Sequence, residues 1–159
     1  SPLFNVTTDL IVGFPGETED EWHQTIEYVE NTGFGHMHIF SFSPREGTAA
    51  ARFSGQIDKE TKKERSRQMH QLAARLKAIE LEKNIGQITS VLWEQQINAE
   101  TGLWSGYTPQ YHKVVSSNHL IQEASISDVT IDQVSSDGLT LMSHSSQVQG
   151  QKEIHSFFE

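Results

Sequence analysis

The chain has 159 residues, 35% of them hydrophobic, a mean hydropathy of −0.50 and a formal net charge of −9. This length allows one domain or two small ones, and no apolar run approaches the roughly 20 residues of a membrane span. The acidic balance argues against a generic nucleic-acid binder, whose affinity depends on Lys and Arg at phosphates. The lack of cysteine excludes disulfides and any cysteine-bound iron–sulfur cluster within this sequence.

The chain begins with Ser1 rather than Met, so we expect it to be a segment of a longer protein. The N-terminus lacks the basic region followed by an apolar region that is typical of a signal peptide. We therefore expect a cytoplasmic location. Charge is uneven along the chain. Residues 56–85 carry eight basic and five acidic side chains, whereas residues 1–55 and 86–159 each carry two basic and eight acidic ones.

The first predicted elements are a strand, a loop and a helix. A short apolar strand over Asp9–Val12, with β-branched residues, is typical of a strand buried on both faces. Gly13 and Gly16 leave space where the backbone turns or a ligand approaches. Thr18, with an acidic residue three positions later, predicts an N-cap with a capping box. The arrangement fits an ordinary βα turn as well as a ligand loop.

A helix over 19–31 with one apolar stripe follows, and Gly33 predicts its C-terminal cap. His36–Phe42 is the next predicted strand, and it leads into a loop at 43–48. The first 55 residues therefore predict one right-handed βαβ unit.

A long helix capped by Asp58 is predicted over 59–84, with an apolar stripe at Met69, Leu72, Leu76 and Ile79. Its first half is charged on all sides. The charges indicate a solvated face with ion pairs between successive turns, or a positive ridge that meets phosphates.

Short β segments follow from residue 87 onwards, with strands predicted at 88–93, 103–104, 112–116 and 139–144, and a broken strand or two strands over 120–131. The pair Asp137-Gly138 predicts a hairpin with a type I′ turn. About five short strands in about 70 residues are typical of a small barrel of the oligonucleotide-binding kind. The tail at 151–159, with Phe157 and Phe158, receives no assignment.

Eight histidines raise the question of a metal site. His36 and His38 share one face of a strand, but no third ligand lies near them in sequence, and zinc sites need three or four converging ligands. We expect structural histidines and no metal site.

Two motifs in the first half carry a family resemblance: TDLIVGFPGET, then HIFSFSPREGTAA after the helix. Together they resemble the closing part of the radical S-adenosylmethionine core of the methylthiotransferases, which attach a methylthio group to a tRNA base or to a ribosomal-protein side chain. The resemblance implies that the strand–helix–strand unit is a remnant of a partial TIM-type barrel.

A third motif, WSGYTPQYHKV at 104–114, resembles the signature of the TRAM domain, a small β-barrel that holds RNA in this family. The matching residues are Gly106, Thr108, Tyr111 and Val114, and Glu94 also fits. A glycine turn that presents an aromatic ring and a lysine offers base stacking beside one phosphate contact. Both Tyr111 and Val114 could equally be core residues of the barrel.

The resemblance thus implies an α/β segment at 1–85 that belongs to the radical S-adenosylmethionine core, followed by an all-β TRAM domain at 86–159. It implies that Gly13, Gly16 and Glu17, with Ser43 and Arg45, line the cofactor pocket. It also implies that Tyr107, Tyr111 and Lys113 contact RNA. Glu17 as a helix-start acid and Arg45 in a structural ion pair are the alternatives.

The loop SPREGTAA most resembles the branch that acts on threonylcarbamoyladenosine beside the tRNA anticodon. The branches that act on isopentenyladenosine or on a ribosomal protein are alternatives, as are a non-catalytic RNA-binding module and a plain α/β interaction domain. The cofactors implied for the parent are S-adenosylmethionine and 4Fe-4S clusters. Without cluster cysteines, this chain alone should hold neither and be inactive. The implied partners are the missing N-terminal domains and, weakly, an anticodon stem-loop; no membrane is involved.

Overall fold

The computed structural model describes residues 4–118 and 120–144, and the backbone alone of 149–153. Its contacts divide into two compact units, one over Val6–Lys77 and one that runs from Ala78 onwards and also takes in Phe4 and Asn5. The predicted tail residues Phe157 and Phe158 lie outside the described residues. The predicted family-domain boundary at 85/86 stays a prediction.

The first unit contains strand β1 (Thr7–Val12), helix α1 (Glu19–Thr32), strand β2 (His36–Ser41), a short 3₁₀ helix (Ala50–Arg52) and most of helix α2 (Lys59–Glu82). Strands β1 and β2 pair in parallel, with Thr7 opposite His36 and Val12 opposite Ser41. The parallel strand–helix–strand arrangement that the sequence predicts is therefore confirmed.

Local signals place the helix ends where the sequence predicts them. The Thr18 side chain accepts from the Glu21 N–H, and Glu21 accepts in return from the Thr18 N–H, which completes the capping box. Gly33 closes α1 in the left-handed conformation at φ 70°. Asp58 caps α2 by accepting from the N–H of Thr61 at 2.9 Å.

The core of the first unit lies on one side of the two-stranded sheet. Its buried members come from β1, α1, β2, the α1–β2 turn and α2: Val12, Trp22, Val29, Phe34, Met37, Met69, Leu72 and Leu76. The expectation that β1 is covered on both faces is wrong, because Ile11 stays 54% exposed. Phe40 on β2 is 55% exposed. Successive side chains of a strand alternate between faces, and the core covers only one of them.

The apolar stripe of α2 is correct at Met69, Leu72 and Leu76 but wrong at Ile79, which is 46% exposed. Leu81 is buried instead, and it belongs to the core of the second unit. The helix thus changes the face it buries near its C-terminal end, because its last turn contributes to a different core.

The second unit is a mixed sheet whose described strands follow the order β7-β8-β5-β4-β3-β6-β9. Their bounds are β3 Ile88–Asn98, β4 Leu103–Tyr107, β5 Lys113–Ser117, β6 Ser125–Thr130, β7 Gln133–Val134, β8 Leu141–Ser143 and β9 Gln149–Glu153. The α/β segment followed by a β region matches the predicted class. The assignment of that region to a TRAM or OB-like barrel stays a prediction.

Strand bounds in this unit differ from the prediction in several places. Strand β3 is longer than predicted, and β6 begins only at Ser125, after a loop that includes Ala124 at φ 55°. Strand β9 falls partly in the tail that received no assignment.

The hairpin at 135–140 is present, since β7 and β8 pair antiparallel. Its predicted type I′ turn is wrong, because only Gly138 has a positive φ.

The inner face of the sheet packs around two tryptophans, Trp93 and Trp104. Trp93 is fully buried, and its indole N–H donates to Ser127 Oγ at 2.7 Å. Val114 is also fully buried, which confirms the core alternative for this residue. Gly106 of β4 lies directly against β3: a Cβ there would lie 2.2 Å from the carbonyl oxygen of Leu92. Only glycine fits this crossing.

Candidate functional site

The loop after β1 is held by backbone and side-chain contacts from several parts of the first unit. The N–H of Gly13 donates to Glu17 Oε2 at 3.0 Å, and the N–H of Gly16 donates to the carbonyl oxygen of Gly55 at 2.9 Å. Both glycines have positive φ, 72° and 88°, which residues with a side chain rarely adopt. These contacts support the conformation of the loop seen in the structure.

Arg65 of α2 connects this loop to the long helix. Its guanidinium donates to Glu17 Oε2 at 2.7 Å, to the Glu17 carbonyl oxygen at 3.1 Å and to Glu19 Oε2 at 2.8 Å. Burial lowers the pKa of Arg65, but the hydrogen bonds to Glu19 and Glu17 outweigh it and raise the pKa above its ordinary value. Arg65 also lies over the ring of Trp22, with Cζ 5.6 Å from the centroid. The ion pair thus joins α2 to the loop after β1.

Gly13 has a packing partner that explains its lack of a side chain. A Cβ at this position would lie 2.4 Å from Cγ of Lys62, whose ammonium donates to the carbonyl oxygen of Phe42 at 3.2 Å. At Gly16, by contrast, nothing lies within 4 Å of such a Cβ. The space beside Gly13 is thus filled by the protein itself, and only Gly16 leaves its side-chain position open to a ligand.

The residues predicted to line the cofactor pocket contact two different clefts of the first unit. Gly16 and Glu17 line a cleft of about 580 Å³ along α1, together with Phe14 and Tyr28. Ser43 and Arg45 line a cleft of about 440 Å³ at the carboxyl end of the strands, together with the exposed Ile11 and Phe40 and other neighbours. Gly16 and Glu17 thus border one of these clefts and Ser43 and Arg45 the other, and the role of these residues toward a cofactor stays a prediction.

Two residues of this site were missed from sequence, although a signal for them exists. Lys62 lies three positions before Arg65, and Arg65 lies four positions before Met69, on the line that continues to Leu72. Charged residues on the continuation of an apolar stripe face the same direction as that stripe. The expectation of a solvated charged face holds for the Arg67–Glu64 pair, which is exposed, and is wrong for Arg65.

In the second unit, a cleft of about 260 Å³ opens on the outer face of the sheet. It is lined by polar and apolar side chains of β3, β4, β6 and the turn after β4: Ser90, Leu92, Glu94, Tyr107, Thr108, Pro109, Tyr111 and Ile126. Two of the three predicted RNA contacts, Tyr107 and Tyr111, are among them. Lys113 lies directly opposite Tyr107 on β5 and is exposed, so it stands beside the cleft.

Tyr111 is presented to solvent at a conformational cost. Its side chain is 79% exposed and its φ is 62°, a region unfavourable for residues other than glycine. Its ring centroid lies 6.1 Å from that of Tyr107. The core alternative for Tyr111 is therefore wrong. Strained residues of this kind persist only where the surrounding structure holds them.

That support comes from the turn between Thr108 and His112. The Thr108 N–H donates to the His112 carbonyl oxygen at 3.0 Å, and the His112 N–H donates to Thr108 Oγ1 at 3.2 Å. The His112 ring is fully buried, 4.0 Å from the buried carboxylate of Glu80, which also pairs with Lys83 at 2.6 Å. A buried polar cluster thus fixes the turn that carries Tyr111.

The histidine pair on β2 forms a ring contact. The His36 and His38 centroids lie 4.7 Å apart in an edge-on arrangement. Burial lowers the pKa of His36, and the charges of Lys77 and His38 add to this effect. Within the described ranges, no group of three or more His, Asp or Glu side chains is placed to hold a metal ion. Neither described helix combines the length and apolarity of a membrane span.

No family model matches the chain. The chain does match curated relatives. It is 41% identical over 112 residues to the threonylcarbamoyladenosine tRNA methylthiotransferase MtaB of Thermotoga maritima, and the match covers 70% of this chain and 25% of the relative. It is 38% identical over 110 residues to the ribosomal protein uS12 methylthiotransferase RimO of a Synechococcus strain, with 69% and 24% covered. It is 37% identical over 107 residues to the tRNA-2-methylthio-N(6)-dimethylallyladenosine synthase of Oceanobacillus iheyensis, with 67% and 21% covered.

These matches show that the chain is homologous to part of the methylthiotransferases. The resemblance to the radical S-adenosylmethionine methylthiotransferases that the motifs predicted is thereby confirmed. The chain spans about a quarter of the length of these relatives.

Proposed function

We propose that this chain is the C-terminal part of a tRNA methylthiotransferase that modifies threonylcarbamoyladenosine beside the anticodon. The observation that carries the proposal is the similarity to the MtaB enzymes. They include the Thermotoga relative at 41% identity and a Chlamydia pneumoniae relative at 33% identity, to which 87% of this chain aligns. Such an enzyme would act in the cytoplasm, where tRNA is found.

The first unit is proposed to contribute part of the S-adenosylmethionine pocket. Ser43 and Arg45 line the cleft at the carboxyl end of two parallel strands, the edge where α/β folds place their ligands. Gly16 offers an open backbone approach, whereas the space at Gly13 is filled by Lys62 and Glu17 is engaged by Arg65. We therefore assign Ser43, Arg45 and Gly16 a direct role, and Gly13 and Glu17 the role of shaping the loop.

In this family the cofactor supplies a radical that activates the target carbon. The cysteines that hold the clusters would belong to other parts of the parent enzyme, since this sequence has none. We expect the chain by itself to bind no cluster and to transfer no methylthio group.

A chimeric enzyme tests the proposal. The homologous segment of Thermotoga MtaB, of RimO or of the dimethylallyladenosine synthase is replaced by this chain, and each chimera is reconstituted anaerobically. We expect methylthio transfer to be restored best in the MtaB host, measured by mass spectrometry of digested tRNA for the two tRNA-modifying hosts and of digested ribosomal protein uS12 for the RimO host. A folded, cluster-loaded MtaB chimera that stays inactive, or better recovery in the RimO host, would reject the assignment.

The second unit is proposed to dock the anticodon stem-loop through Tyr107, Tyr111 and Lys113. Two tyrosine rings offer stacking surface for unpaired bases, worth about 1–3 kcal/mol per base. The chain is expected to bind an anticodon stem-loop weakly, and Tyr111→Ala to reduce that binding. Tyr28→Ala, which removes another exposed ring in the other unit, is the control. Equal affinities of the Tyr111→Ala variant and the parent chain would remove Tyr111 from the docking surface.

A further inference from the structure

The cleft in the second unit has an apolar floor made by neighbours on three strands. Leu92 of β3 stands opposite Tyr107 on one side and Ile126 on the other. All three are partly exposed, because the alternate residues Val91 and Trp93 face the core. With Tyr111 above it, this floor offers a surface on which a flat ring can stack.

A carboxylate stands at the edge of this floor. Glu94 falls at an irregularity in the pairing of β3 with β4, between the pairs Trp93–Gly106 and Gln95–Ser105. Its side chain is exposed and lines the cleft. No described residue pairs with its carboxylate, so both oxygens are available as acceptors, while Lys113 stands on the other side of Tyr107.

The charge of this unit limits how it can hold RNA. The described residues 78–144 include the cations Lys83 and Lys113 against eight acidic side chains. Lys83 is engaged by the buried Glu80, so among the described side chains of this unit Lys113 is the cation available to a phosphate. Affinity for RNA must therefore come from contacts to bases. Because an ionised carboxylate only accepts hydrogen bonds, the acid in the cleft has to meet a hydrogen-bond donor.

We propose that this cleft binds an unpaired nucleotide whose base carries an exocyclic amino group, with Glu94 accepting the hydrogen bond from that group. Cytosine presents such a donor at N4, whereas uracil presents a carbonyl oxygen at the same position, which a carboxylate repels. The cleft consequently discriminates between two bases of equal size. This inference rests on the proposed RNA docking of the same surface and adds its base preference.

The test measures binding of the 159-residue chain to short single-stranded cytidine and uridine oligonucleotides by fluorescence anisotropy. A charge-assisted hydrogen bond corresponds to about a tenfold preference for cytidine. With one phosphate contact, the logarithm of the association constant should fall with a slope of about −0.7 against the logarithm of salt concentration.

Glu94→Gln is the decisive variant. Its amide can donate to the uracil oxygen, so the cytidine preference should fall to about twofold or reverse. Glu100→Gln removes the same charge from an exposed position in the β3–β4 turn and should leave the preference unchanged. Thermal melts of each variant verify that the fold is kept.

Equal affinity for the two oligonucleotides, or a preference that survives in Glu94→Gln, overturns the base assignment while RNA docking itself stands. Absence of any binding overturns the proposed docking as well. A lysine-rich peptide provides the remaining comparison. The proposal is rejected if the peptide binds in a Glu94-dependent manner and displaces the uridine and cytidine oligonucleotides equally well. That result would show that the cleft recognises a cation.

Discussion

The guanidinium of Arg65 lies 2.7 Å from the Glu17 carboxylate, and only 6% and 14% of these two side chains are exposed. The same carboxylate oxygen accepts the backbone N–H of Gly13. This contact between α2 and the loop after β1 is therefore one of the main supports of that loop, because removal of either partner leaves a nearly buried charge without compensation.

We predict that Arg65→Met lowers the free energy of unfolding of the chain by about 3–5 kcal/mol, the usual cost of breaking a buried pair from one side. Denaturant unfolding followed by circular dichroism measures this loss. Arg67→Met, which breaks an exposed pair with Glu64 two positions further along α2, should cost far less. Equal losses in the two variants would show that the Glu17 contact is not a main support of the loop.

The two loop glycines should differ in their tolerance of alanine. Both have positive φ, so either substitution costs about 1–2 kcal/mol through the backbone. Gly13→Ala in addition forces the Lys62 chain to move, since the new Cβ would lie 2.4 Å from its Cγ, whereas Gly16→Ala meets no atom within 4 Å. We expect Gly13→Ala to be the more destabilising in thermal unfolding, and a larger loss for Gly16→Ala would contradict the packing role of Gly13.

Substitution of Tyr111 should weaken RNA binding without lowering the stability of the fold. Its φ of 62° is strained for tyrosine and relaxed for glycine, and its side chain is largely exposed. Tyr111→Gly is therefore expected to leave the melting temperature unchanged or to raise it slightly, while it weakens binding of an anticodon stem-loop. Tyr107→Ala, at a position with negative φ, should weaken binding without any gain in stability. A marked fall in melting temperature for Tyr111→Gly would mean that the exposed ring has a structural role.

Acid should destabilise the chain through carboxyl groups whose pKa values are lowered by hydrogen bonds. These groups are Glu19, Glu21, Asp58, Glu64 and Asp137. For Glu64, hydrogen bonds from Arg67 and Gln68 lower the pKa from 4.5 to about 2. A lowered pKa in the folded state gives stability above the unfolded value that is lost as the pH falls through the folded one. Melting temperatures should therefore drop between about pH 5 and pH 2, and Glu64→Gln should flatten the lower part of that curve more than Glu100→Gln does.

Protonation of His36 should also destabilise the chain, at a higher pH than the carboxyl groups. Its folded-state pKa is lowered from 6.5 by burial, Lys77 and His38, so the folded chain favours the neutral ring. Protonation then favours the unfolded state, and stability falls as the pH decreases below about 6.5. His36→Gln should reduce this dependence of the melting temperature on pH, and an unchanged dependence would contradict the role of His36.

The chain order of the elements and the ends of both helices could be predicted because their signals are local. Caps at Thr18, Gly33 and Asp58 act within one helical turn, and apolar periodicity shows which face of a helix is covered. The motifs that indicated the methylthiotransferases and the place of Tyr107, Tyr111 and Lys113 beside one another are also contained in short stretches. In the second unit, strands too short to show periodicity were predicted less well.

The partner of each loop residue depended on contacts between positions far apart in the chain. Arg65 meets Glu17 across 48 positions, and the space that glycine leaves at position 13 is filled by a side chain 49 positions later. Sequence alone thus determined the elements of the first unit and the family that the chain resembles. The tertiary structure alone decided which glycine stays open, which carboxylate is engaged and which acid borders the aromatic cleft, because those outcomes follow from packing between elements and not from signals within them.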